Sequence, residues 1–167
     1  FINSNTLNIK FIIAPHNIKE EQIQQLKNSI IKKTVLFSEK EGQNLADFDV
    51  FIIDTIGILT KIYSYADIAY VGGGFGNPGV HNLLEPATFG VPILIGPNYS
   101  HFAEATALVN METCISINNN KELDEAFKNL IQNDDIRHEK GHMCSTFVQM
   151  NKGATAIILK HILNDPI

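Results

Sequence analysis

Three polar side chains, His81, Asn82 and Glu85, follow a run that carries Gly72, Gly73, Gly74, Gly76 and Gly79. Glycine costs backbone entropy, so glycines this dense mark a turn with positive φ or a backbone that a ligand approaches closely. Both readings stand for Gly73 and Gly74. The residues Asn82-x-x-Glu85 have the spacing of a capping box, in which the acid bonds back to its own helix start. The same acid beside side-chain-poor backbone is also placed to grip a ligand. His81 is either a hydrogen-bond donor to an anion or a locally bonded surface histidine. A turn at the end of a strand that feeds a helix favours an anion through its N–H groups and the helix dipole. Two further positions share that kind of strand end: His16, after Ala14-Pro15, and Thr55 with Gly57, after Asp54.

The elements that would hold these residues alternate along the chain. Short apolar runs at Ile9 to Ala14, Thr34 to Ser38, Asp49 to Ile53, Asp67 to Val71, Val91 to Ile95 and Thr113 to Ile117 read as strands covered on both faces. Ile23, Leu26, Ile30 and Ile31 form an apolar stripe over Lys19 to Lys32, an amphipathic helix with acids first and lysines last. Thr55 is placed to cap a helix running from Asp54 to about Ala66. Further helices are expected over Ser100 to Asn110, Lys121 to Gln132, Asp135 to Met150 and Gly153 to Leu163. Strands alternating with helices imply a doubly wound, Rossmann-like α/β fold, with a parallel sheet and helices on both faces. Ligands of such sheets bind beyond the carboxyl ends of the strands.

The chain has 167 residues, 44% of them hydrophobic and 19% charged, with a net charge of −5. That suits one globular domain over 1–167, with 135–167 as C-terminal helices. No basic tract marks a nucleic-acid partner. Cys114 and Cys144 lie in apolar surroundings and read as small buried hydrophobes, and no metal-ligand spacing occurs. No apolar run approaches the roughly 20 residues of a membrane helix. The start, Phe1 to Asn8, is polar and lacks both Met and a signal peptide, as expected for a fragment.

Gly74-Phe75-Gly76-Asn77-Pro78-Gly79 fits the G-x-G-x-x-G spacing, but the dinucleotide fingerprint belongs to a first strand–helix turn with an acid ending the next strand. Here the next strand ends Ile95-Gly96-Pro97. No Gly-Lys-Ser/Thr of a P-loop and no G-x-S-x-G elbow is present.

The stretch resembles a known family instead. A strand, three glycines, His81-Asn82-x-x-Glu85-Pro86, Val91-Pro92-Ile93-Leu94-x-Gly96-Pro97 and His101-Phe102 look like the nucleotide half of a GT-B glycosyltransferase, above all a bacterial 3-deoxy-D-manno-octulosonic acid (Kdo) transferase. Asp54-Thr55-x-Gly57-x-Leu59, Tyr63, Ala66-Asp67-Ile68-Ala69 and Ala14-Pro15-His16 match too, although the family's usual Pro-x-Arg after the histidine is replaced by Asn17-Ile18-Lys19. The resemblance implies the donor-binding, C-terminal half of a two-domain enzyme that moves Kdo from CMP-Kdo to a lipid A precursor. It implies that Glu85 accepts hydrogen bonds from the cytidine ribose, and that Gly73, Gly74, His81, Asn82, Thr55, Gly57 and His16 line the donor site. His81 would face phosphate or the Kdo carboxylate. No cofactor is implied beyond the CMP-Kdo substrate. The carboxylate base, acceptor surface and membrane association, at the cytoplasmic face of the bacterial inner membrane, would belong to an N-terminal domain absent here. No catalytic residue is therefore expected in this chain, and alone it is expected to be inactive. Other readings are a GT-B donor domain for a UDP-sugar and a non-catalytic α/β binding module.

Overall fold

The computed structural model describes residues 1–164, and its α/β elements divide between two units, 1–61 and 62–167. In the first, β1 (Phe11–Ile13), β2 (Thr34–Leu36) and β3 (Val50–Ile52) form a parallel sheet in the order β1-β3-β2. Ile13 and Leu36 both stand opposite Ile52 in the register, so three strands end at one level. Helix α1 (Glu20–Ser29) lays Ile23 and Leu26 on this sheet, against Phe11, Ile13, Leu36, Val50 and Ile52. The helix stops at Ser29, three residues before the expected end. Ile31 is outside it and 80% exposed, so the stripe is one residue shorter than its spacing suggests.

The helix expected from Asp54 is reduced to one turn, α2 (Leu59–Ile62), followed by a 3₁₀ turn at Tyr63–Tyr65. Gly57 has φ +87°, a left-handed conformation that an α-helix cannot contain. The Asp54 carboxylate instead turns back to the 3₁₀ turn after β2, Phe37–Glu39, where it accepts from the Ser38 N–H at 2.9 Å and the Ser38 hydroxyl at 2.5 Å. Thr55 is four residues ahead of the helix and is not its cap.

The second unit holds β4 (Ala69–Val71), β5 (Ile93–Ile95) and β6 (Cys114–Ser116), parallel and in the order β4-β5-β6. The run Ile93-Leu94-Ile95 is wholly buried because both faces of this central strand are covered. On one face Ile93 and Ile95 join Leu83 and Ala87 around α3 (Leu84–Thr88), Ala105 and Leu108 of α4 (Ala103–Asn110), and Cys144 of α6 (Asp134–Asn151). On the other, Leu94 packs with Leu130 of α5 (Asn120–Gln132), Ile117 and Phe127. That is the doubly wound arrangement expected, built on two three-stranded sheets. Both cysteines are buried and free. The last helix, α7 (Ala154–Asn164), has every described side chain exposed. No helix among the described residues is long and apolar enough to cross a membrane.

Candidate functional site

Five of the eight candidate residues come together in the second unit, where the chain leaves β4 and enters α3. The connection folds on itself. Gly76 N–H donates to Gly73 C=O at 2.8 Å, Gly79 N–H to Gly76 C=O at 3.3 Å, and His81 N–H returns to Gly72 C=O at 3.0 Å. The loop is also tied to the end of β5: Asn98 N–H donates to Gly74 C=O at 2.9 Å, and its carboxamide to Gly76 C=O at 3.3 Å.

The glycines have a packing reason. Gly73 has φ +91°, and a Cβ there would collide with the Gly79 carbonyl and come within 2.8 Å of the His81 ring. A Cβ on Gly74 would lie 2.7 Å from the Gly96 nitrogen, and one on Gly96 would meet Gly74 backbone at 2.5 Å. Real side chains do not tolerate such approaches to backbone, so two loops cross here with no room for substituents. Gly79 is filled from the other side by the Phe102 ring. Turn chemistry and close backbone packing therefore account for Gly73 and Gly74. Gly96 and Asn98 complete the same crossing and were not singled out by the sequence reading. Gly96-Pro97 stood out as the end of a strand and as part of the family motif, not as a partner of the glycine loop.

Helix α3 begins just beyond. Leu83, just ahead of α3, already has helical backbone angles (φ −90°, ψ −21°), and Asn82 Oδ1 accepts from the Leu84 N–H at 3.0 Å, so Asn82 caps this first turn. The other half of the capping box differs from expectation. Glu85 Oε1 accepts from the Asn82 side-chain Nδ2 at 3.0 Å, a bond between side chains. His81 and Asn82 are exposed and Glu85 is half-buried. Pro86, in the first turn, is buried against the core and has no N–H to satisfy. The Tyr63 phenol is pushed up from its ordinary value, first by burial and then by the Glu85 charge. Tyr63 thus stands near the acid with its proton on, a neighbour that motif matching alone did not assign a role. The arrangement presents an anionic oxygen acceptor beside a rigid, side-chain-poor loop.

The other three candidates belong to the first unit. His16 is three residues past β1 and Thr55 three past β3, at the carboxyl ends of neighbouring parallel strands. His16 and Gly57 are exposed and Thr55 is half-buried. Helix dipoles contribute little at either place, since α2 spans four residues and α3 five. The expectation that helix N-termini would bind the anion is corrected accordingly: any such contact falls to loop N–H groups and side chains. Among the described residues no three His, Cys, Asp or Glu side chains cluster as metal ligands.

No protein-family model matches the chain. It is 36% identical to the 3-deoxy-D-manno-octulosonic acid transferase of Chlamydia trachomatis serovar D over 147 residues, 84% of this chain and 33% of that protein. With the enzyme of the same name from Aquifex aeolicus it shares 40% over 94 residues, 56% of this chain and 25% of that one. With that from Haemophilus influenzae it shares 27% over 152 residues, 90% and 33%. The chain thus spans a quarter to a third of the length of these relatives. Among solved structures it is similar to the C-terminal CMP-Kdo binding domain of WaaA from Acinetobacter baumannii. The TM-score is 0.71 at 20% identity, covering 84% of this chain and 73% of that one.

Proposed function

We propose, from the premise that this chain is a relative of the 3-deoxy-D-manno-octulosonic acid transferases, that it is the donor-nucleotide part of such an enzyme and binds CMP-Kdo. The observation that carries this reading is the half-buried Glu85 carboxylate, held at a helix start beside the locked glycine loop. An ionised carboxylate makes short, directional bonds to hydroxyl donors, which suits the vicinal diol of a ribose. His81 is exposed four residues ahead of it in the chain, and on this reading it faces the anionic end of the same ligand. On this reading Gly73 and Gly74 serve the site by keeping the loop thin. His16, Thr55 and Gly57, past the ends of β1 and β3 in the first unit, are donor-binding candidates by the resemblance alone.

The reaction of the whole enzyme is an inverting displacement at the Kdo anomeric carbon. The C–O bond to CMP breaks as the acceptor oxygen bonds to the carbon, and CMP leaves as the anion. This chain's part is to hold the nucleotide and to donate hydrogen bonds to the departing phosphate, from loop N–H groups and His81. The general base, the lipid A precursor and the contact with the membrane's cytoplasmic face belong to the part of the enzyme outside this chain.

Calorimetric titration of the chain with CMP, UMP and UDP tests the assignment. Binding is expected to be weak and to favour CMP, and incubation with CMP-Kdo and acceptor is expected to give no transfer. A clear preference for UDP would point to a UDP-sugar donor site and defeat the Kdo reading. Binding of no nucleotide would favour a module without a donor site.

A further inference from the structure

We propose that Asn82 is a positioning residue for Glu85, acting on the nucleotide through the acid and not by touching it. The proposal rests on the reading of Glu85 as the acceptor of ribose hydroxyls. The Asn82 carboxamide is oriented from one side by the backbone: its Oδ1 accepts from the Leu84 N–H at 3.0 Å. Turning the amide over would set its Nδ2 against that N–H, donor against donor. The backbone bond therefore fixes which atom faces Glu85, and Nδ2 donates to Glu85 Oε1 at 3.0 Å. A helix cap needs only the first bond. The second does nothing for the helix backbone and acts on the carboxylate.

The choice of partner matters chemically. A lysine or arginine would hold the acid equally well, but its several charged N–H groups would compete for the lone pairs. A carboxylate has about four acceptor sites. One neutral N–H occupies one of them, keeps the group oriented, and leaves acceptor sites on both oxygens for the two hydroxyls of a diol. The backbone is fixed from the same side, because Pro86 follows directly and is buried in the core. Tyr63 stands near the acid as well. The carboxylate is thus set before any ligand arrives.

Asn82→Asp separates the two bonds. An aspartate still accepts from the Leu84 N–H and caps the helix, but it has no proton for Glu85 and repels it. Calorimetry of the full chain with CMP and 2′-deoxy-CMP, for wild type, Asn82→Asp and Glu85→Gln, reads the difference. Wild type is expected to prefer CMP. Asn82→Asp is expected to lose CMP affinity by about tenfold, a charged hydrogen bond's worth. It should bind 2′-deoxy-CMP with nearly unchanged affinity and keep the wild-type melting temperature. Loss of the ribose preference in Glu85→Gln but not in Asn82→Asp would overturn the proposal and leave Asn82 a cap. Equal weakening of both nucleotides by Asn82→Asp would overturn it too, placing Asn82 against the phosphate. A Glu85→Gln chain that keeps the full ribose preference would overturn the reading of Glu85 itself.

Discussion

A glycine in a loop can be needed for its own backbone angle or for what lies next to it, and the two needs predict different costs. Gly57 has φ +87° with nothing within 4 Å of where a Cβ would stand. Gly57→Ala is therefore expected to cost about 1 kcal/mol of backbone strain. Gly73 combines φ +91° with a collision of any Cβ against the Gly79 carbonyl, and a Cβ on Gly74 would come within 2.7 Å of the Gly96 nitrogen. Either alanine there is expected to cost about 3 kcal/mol or more, measured by urea unfolding. Glycine density in the sequence marked the right place. It did not say which glycine faces carbonyl, which faces another loop, and which faces water, because the crossing partner Gly96 is distant in the chain. The Asn82–Glu85 pair was legible from spacing. That the bond would run between side chains and leave the Asn82 N–H aside was not, since both versions share one spacing.

At the level of elements, every expected strand is present and shorter by one or two residues at one end or both, while the last three helices start and stop within one residue of expectation. The exception is the helix after β3, where propensity suggested a run from Asp54 and the positive φ at Gly57 broke it. Which strands would pair was not written in the alternation of apolar runs, and β3 lies between β1 and β2. The contact of β6 with α6 carries a chemical signature. Cys114 is pushed up to about 12 from an ordinary 9.0, first by burial and then by Cys144, and Cys144 is raised by burial. Neither thiol is expected to react with a thiol reagent at pH 8 in the native chain, while both react in urea. The raised value means that the folded state keeps its proton while the unfolded state loses it. This contribution is whole below pH 9 and is lost as pH rises from 9 towards 12. The stability advantage of wild type over Cys114→Ala, followed by denaturant midpoints, is expected to shrink across that window.

For the molecule as a whole, stability resides in two cores, one around α1 and its sheet and one on both faces of β5. Helix α7 contributes to neither: Ile157 is 72% and Leu163 78% exposed. A chain ending at Lys152 is therefore expected to melt within about 2 °C of the full chain, since surface changes away from core features are worth about 0.5 kcal/mol or less. It should also associate less at high concentration, because a row of apolar side chains is removed from water. A fall of many degrees would show that α7 is part of a core. The segment Gly153 to Leu163 was legible as a helix. The exposure of its described side chains was not legible, because a sequence reports what a face is made of and not what covers it.

The crossing of Gly74 with Gly96 has one more consequence. Two passages packed main chain against main chain and tied by the Asn98-to-Gly74 hydrogen bond are expected to move as one. On the proposed function, a nucleotide arriving here meets furniture already bolted down, and adjustment is expected from the visitor or from the side chains at the rim.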